Sequence, residues 1–139
     1  MVEEQLTALA GDECLVEARF PLWREAGRIG TGFQEVSPRR SDFALVAAAA
    51  QLSLDAEGRC RRAALGLGGA AAMPVRLDGA AARLVGTRLG GADIDAALAL
   101  ATDAIEPISD LHASAGYRRR VAGAMLERAL AEARAEAMA

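Results

Sequence analysis

The 139 residues suffice for one domain, and with 53% hydrophobic but only 4% aromatic content its core must be filled largely by small side chains. The formal net charge is −3, and all 16 basic residues are arginine. The arginine clusters at 39–40, 61–62 and 118–120 are offset by acid and lack interleaved stacking aromatics, which speaks against nucleic acid. No apolar run approaches the roughly 20 residues that span a bilayer.

In chain order, residues 1–12 read as a connector and 13–137 as the domain. Met1–Glu4 is acidic and has no basic signal-peptide region, so a cytoplasmic location is expected. Glu13–Phe20 reads as a strand closed by Pro21. Gly27, Gly30 and Gly32 predict a loop, and Phe33–Val36 a short strand ended by Ser37-Pro38. Residues 43–54 are two-sided. Their alanines favour helix, whereas the alternation Gln51, Leu52, Ser53, Leu54 favours strand. The turn Asp55-Ala56-Glu57-Gly58 decides for a hairpin with 59–67. Gly66, Gly68 and Gly69 then bend the chain, and Met73–Arg76 is extended next to Pro74.

Three helices follow. Asp78 is placed to cap 79–85, which Gly86 ends. Asp93 is placed to cap 93–105, with an apolar face of Ile94, Ala97, Leu98, Ala101 and Ile105. Ser114 is placed to cap 115–135, with a stripe of Tyr117, Val121, Ala124, Met125, Ala129 and Leu130. Strands first and helices after predict an α+β fold. It would be an antiparallel three- to four-stranded sheet with a layer of about three helices on one face.

Few residues carry obvious chemistry. Cys14 and Cys60 lack a CxxC partner and are expected to be reduced and buried. With one histidine, no metal site is expected. That residue, His112, stands two positions from Asp110 in a loop, the spacing of a weak candidate acid–base pair. No nucleophile pattern accompanies it, and an exposed loop histidine is the commoner outcome.

Three stretches in order carry a family resemblance: Thr7–Pro21, Gly32–Ala44 and Ser114–Leu130. They resemble the C-terminal domain of the flavoprotein (medium) subunit of molybdenum hydroxylases, the carbon monoxide dehydrogenase and xanthine dehydrogenase class. The resemblance implies an oxidoreductase component that covers the flavin and docks partner subunits. It also implies a FAD-binding half ahead of this domain. The glycine tracts at 27–32, 66–69 and 90–91 do not match that half's pyrophosphate loops, so no cofactor is expected in this chain alone.

By the same resemblance, Phe43 matches the aromatic that lies over the flavin ring. Arg39, Arg40 and Asp42 flank it as cofactor-binding candidates if FAD comes from another chain. The stretch Arg39-Arg40-Ser41-Asp42-Phe43 is one residue shorter than the family's. Phe43 as a strand-start core residue, and Arg39 and Arg40 as a solvated pair, are the structural alternatives. The functional alternative is a free-standing domain, recruited as a cofactor-free enzyme or small-molecule-binding protein, with a site near Trp23, Phe33 and Phe43. Expected partners are separate oxidoreductase subunits or further copies of the chain, and possibilities include an apolar small molecule.

Overall fold

The computed structural model of the chain describes residues 9–23, 27–39 and 42–139. Four strands, β1 (Arg28–Val36), β2 (Val46–Leu54), β3 (Cys60–Gly68) and β4 (Val75–Arg76), form an antiparallel sheet in sequence order. Three helices, α1 (Asp78–Leu84), α2 (Gly91–Asp103) and α3 (Ala115–Met138), follow. The α+β architecture agrees with the pattern of the sequence.

The β2–β3 hairpin forms where its turn residues demand it. Gly58 takes φ +76°, and Asp55 accepts the Arg59 N–H through its carboxylate at 2.7 Å. Ala47–Ala50 lie in β2 despite their helix propensity. Their strand register puts Val46, Ala48, Ala50, Leu52 and Leu54 on one face, each at most 4% exposed. Burial of that alternating face overrides local preference.

α3 lies across β1 and β2, presenting Ala122, Leu126, Ala129, Leu130 and Ala133, all essentially inaccessible. Small residues on both sides let helix and sheet approach closely. α1 packs on β3, and α2 packs on α1 and α3. Among the described residues, no helix packs on the opposite face of the sheet.

Several expectations are corrected. Glu13–Phe20 is exposed, has no regular secondary structure and pairs with no strand among the described residues. Its alternation signals the capacity to pair, which needs an edge to pair with. Residues 28–32 belong to β1 instead of a loop. Their glycines serve closeness to α3: a Cβ on Gly32 would lie 2.0 Å from the Ala129 carbonyl oxygen. Asp78 is the first residue of α1, not its cap, and its carboxylate pairs with Arg76 at 2.8 Å. α2 begins two residues before Asp93, whose carboxylate accepts the Gly90 N–H at 3.3 Å. Ser114 does cap α3, accepting the Tyr117 N–H at 3.2 Å. The buried stripe of α3 is rotated from the expected one: Ala124 is exposed, Tyr117 and Val121 are half-buried, and Arg118 is buried. Cys60 is buried as expected, but Cys14 is exposed because its segment has no packing partner.

Candidate functional site

The connection from β1 to β2 and the loop from α2 to α3 meet beside the start of α3. Between them lies a cleft of about 590 Å³, lined on its apolar side by Pro38, Phe43, Ala44, Ala71, Ala72 and Ile108. Phe43 is 87% exposed, so it is not a core residue. Its N–H donates to the Asp42 carboxylate at 2.9 Å, and Leu45 N–H closes on Val36 O at 2.8 Å. These bonds fix the backbone on which the ring stands. Arg39 is exposed, and its carbonyl accepts from Ser37 Oγ and the Asp42 N–H. Arg40 lies outside the described residues.

The polar floor of this cleft is organised by Arg118, only 4% exposed. Its Nη1 donates to Leu45 O at 2.6 Å and Gly69 O at 2.7 Å, and its Nη2 to Asp110 Oδ2 at 2.6 Å. One guanidinium therefore ties the starts of β2 and α3, the bend after β3, and the α2–α3 loop together. The other Asp110 oxygen accepts the backbone N–H groups of His112 and Ala113, each at 2.9 Å. The Ala113 and His112 amides, and then Arg118, hold the Asp110 carboxyl down at about 2. Asp110 thus binds the main chain of His112, not its imidazole, and is far too weak a base for proton transfer near neutrality. The pair reads as a loop clamp.

The sequence reading missed Arg118. The available signal was spacing: Arg118, Ala122 and Leu126 fall at four-residue intervals along one buried face.

A second concave surface lies on the helix-free face of the sheet. Trp23, Thr31, Phe33, Gln51, Arg62 and Arg76 line part of a depression of about 1040 Å³. The Arg62 guanidinium sits 4.3 Å from the centroid of the Trp23 ring, a cation–π contact. Phe33 is 59% exposed above Ala49, its strand partner. The structure therefore brings Trp23 and Phe33 together but gives Phe43 a different cleft. Phe33 sits on the outward face of β1, whereas Phe43 lies beyond the strand ends.

The profile of the CO dehydrogenase flavoprotein C-terminal domain matches residues 31–133. The chain belongs to this family. Among relatives of the domain, the carbon monoxide dehydrogenase medium chain of Afipia carboxidovorans is 36% identical over 131 residues. That match covers 94% of this chain and 44% of the relative. The 6-hydroxypseudooxynicotine dehydrogenase complex subunit alpha of Paenarthrobacter nicotinovorans is 32% identical over 133 residues, 96% of this chain and 44% of that subunit. The chain thus spans less than half the length of these relatives. Among solved structures, reconstituted CO dehydrogenase from Oligotropha carboxidovorans superposes with a TM-score of 0.74 at 36% identity. That superposition covers 78% of this chain and 37% of the other.

The family is one of flavoproteins, and a flavin dinucleotide asks for two things: an apolar surface for the ring and backbone N–H groups converging on pyrophosphate. The surface around Phe43 meets the first. For the second, Gly66–Gly69 leads from β3 towards Pro74 and β4, not into a helix. Among the described residues no glycine-rich turn runs from strand to helix. The fit is to the ring alone. Among the described residues, no helix is long and apolar enough to cross a membrane.

Proposed function

We propose that this chain acts as the C-terminal domain of a flavoprotein subunit in a molybdenum hydroxylase-type oxidoreductase. In this reading it covers the ring of FAD bound by another part of the subunit and offers a docking surface to the other subunits. The observation that carries it is Phe43, an aromatic ring 87% exposed on the apolar side of a cleft in a domain of a flavoprotein family. A ring left this exposed gains little for the fold, whereas stacked on a flavin it would exclude water from one face. Arg39, Arg40 and Asp42 flank this position and would meet polar groups of the same cofactor. The chemistry FAD supplies when bound is electron transfer. The chain itself would position the ring and shield it.

The test uses the part of the Afipia carboxidovorans medium chain that this sequence does not match, expressed as its own polypeptide and loaded with FAD. Adding the 139-residue chain should quench flavin fluorescence, and Phe43→Ala should remove most of the quenching without unfolding the domain. Unchanged flavin emission with the native chain, or equal quenching by Phe43→Ala, would refute the reading. So would stoichiometric yellow flavin retained by the chain purified alone.

The larger depression on the open sheet face supports one other reading, an apolar small-molecule site at Trp23 and Phe33. Ligand uptake by the chain alone, abolished by Phe33→Ala and indifferent to Phe43→Ala, would favour it.

A further inference from the structure

The segment ahead of β1 has a sequence at odds with its surroundings. From Glu13 to Phe20, the even positions Cys14, Val16, Ala18 and Phe20 are apolar, and three of the four odd positions are charged. That is the period-2 signature of a half-buried strand. Glu17 and Arg19, two apart, pair at 2.8 Å on the polar side, as an extended backbone allows. Yet Val16 is 92% and Phe20 85% exposed. Among the described residues, no backbone–backbone hydrogen bond involves residues 14–20.

The chain's own sheet does not accept this strand. Along the β1 edge, the Thr31 N–H donates to the Glu136 carboxylate at 2.6 Å and the Phe33 N–H to the Glu132 carboxylate at 3.1 Å. Two side chains of α3 thereby occupy the two central donors that an added strand would need. The opposite edge, β4, is two residues long and directly follows Pro74. Pairing the segments of two copies would give only a two-stranded ribbon, which is marginal in water. Among the described residues, no edge is left to accept it.

The comparisons bear on where such an edge could be supplied. Sequence similarity to the Afipia medium chain covers 94% of this chain, while superposition on the Oligotropha enzyme covers 78%. The domain profile begins only at residue 31, whereas a match over 131 of the 139 residues starts by about residue 9 and so includes Glu13–Phe20. More than half of the relative's length has no counterpart here.

We infer that residues 13–20 are a β-strand that forms only when added to an open sheet edge in that remaining, flavin-binding part of the subunit. The partner offers an unpaired row of backbone N–H and C=O groups beside an apolar surface. The backbone ladder supplies attachment, and pockets for Val16 and Phe20 set the register. This inference rests on the function proposed above.

The test mixes the 139-residue chain with the unmatched part of the Afipia carboxidovorans medium chain and follows amide hydrogen exchange and calorimetric binding. Alone, residues 14–20 should exchange at free-peptide rates. On mixing they should slow by about tenfold or more, as hydrogen-bonded amides do. Val16→Pro removes one donor and fixes a bend, so it should weaken association by about tenfold or more. Because Val16 is 92% exposed and packs against none of the described residues, its variant should keep the native Tm. Slow exchange in the chain alone, a lowered Tm for Val16→Pro, equal binding by that variant, or self-association through the segment would each overturn the inference. Failure of the native chain to associate defeats the proposed function as well. Association with flavin quenching that Val16→Pro leaves unchanged defeats the added strand only.

Discussion

Replacing Gly32 by alanine adds one methyl group where, as at Gly30, helix backbone lies directly against the strand. Gly32 lies in ordinary strand conformation, so the cost is steric, not torsional. A Cβ there would sit 2.0 Å from Ala129 O, 2.9 Å from Ala129 C and 3.0 Å from Ala133 N. A carbon–oxygen contact normally settles near about 3.3 Å, so α3 would have to retreat by roughly an ångström. The obstacle is helix backbone, which cannot swing aside as a side chain would. Retreat also loosens Ala122, Leu126, Ala129 and Ala133, which are wholly buried against the sheet. Overpacking costs about 1–3 kcal/mol, and the rigid neighbour places this case near about 3. At about 4 °C per kcal/mol for a domain of this size, Tm should fall by about 12 °C. Gly79→Ala is the control: it meets nothing within 4 Å and lies in α1, so helix propensity should raise stability by up to about 1 kcal/mol. Thermal unfolding followed by circular dichroism reads both. A Gly32→Ala midpoint within about 3 °C of the native one would refute the close-approach argument.

The acid limb of stability should depend on Asp110, whose carboxyl is depressed from 3.8 to about 2 by the Ala113 and His112 amides and Arg118. A depressed folded value means its contribution is complete above the unfolded value and lost as pH falls through about 2. Asp110→Asn should therefore show a flatter Tm between pH 4 and 2 than the native chain, and parallel curves would contradict the clamp. Thiol counting in denaturant should find two free thiols, Cys14 and Cys60. In the folded chain Cys14 should react at once and Cys60 slowly, since burial shields it and pushes its thiol up. A count of zero would mean a disulfide and would exclude this arrangement.

The sequence by itself determined the element types wherever local chemistry was decisive. The Asp55–Gly58 turn set the β2–β3 hairpin, Ser114 marked the start of α3, and the apolar spacing from Ile94 to Ala101 set the packed face of α2, although that helix ends at Asp103, two residues before Ile105. The sequence also carried the family, through ordered stretches around Phe33–Phe43 and along α3. What depended on distant residues was not legible. Gly30 and Gly32 read as a loop because the helix backbone that requires them arrives about a hundred residues later. Arg118 read as one member of a surface cluster because its acceptors, Leu45 O and Gly69 O, are brought to it only by the packed sheet. Trp23, Phe33 and Phe43 looked like one aromatic site, but strand direction sends Phe33 to the open sheet face and leaves Phe43 in the cleft by α3. For residues 13–20 the alternation states that a strand can form, while pairing needs a free edge, and the tertiary structure closes one edge of its own sheet with Glu132 and Glu136. Periodicity fixes which face of an element is apolar; only the packed chain fixes what that face meets.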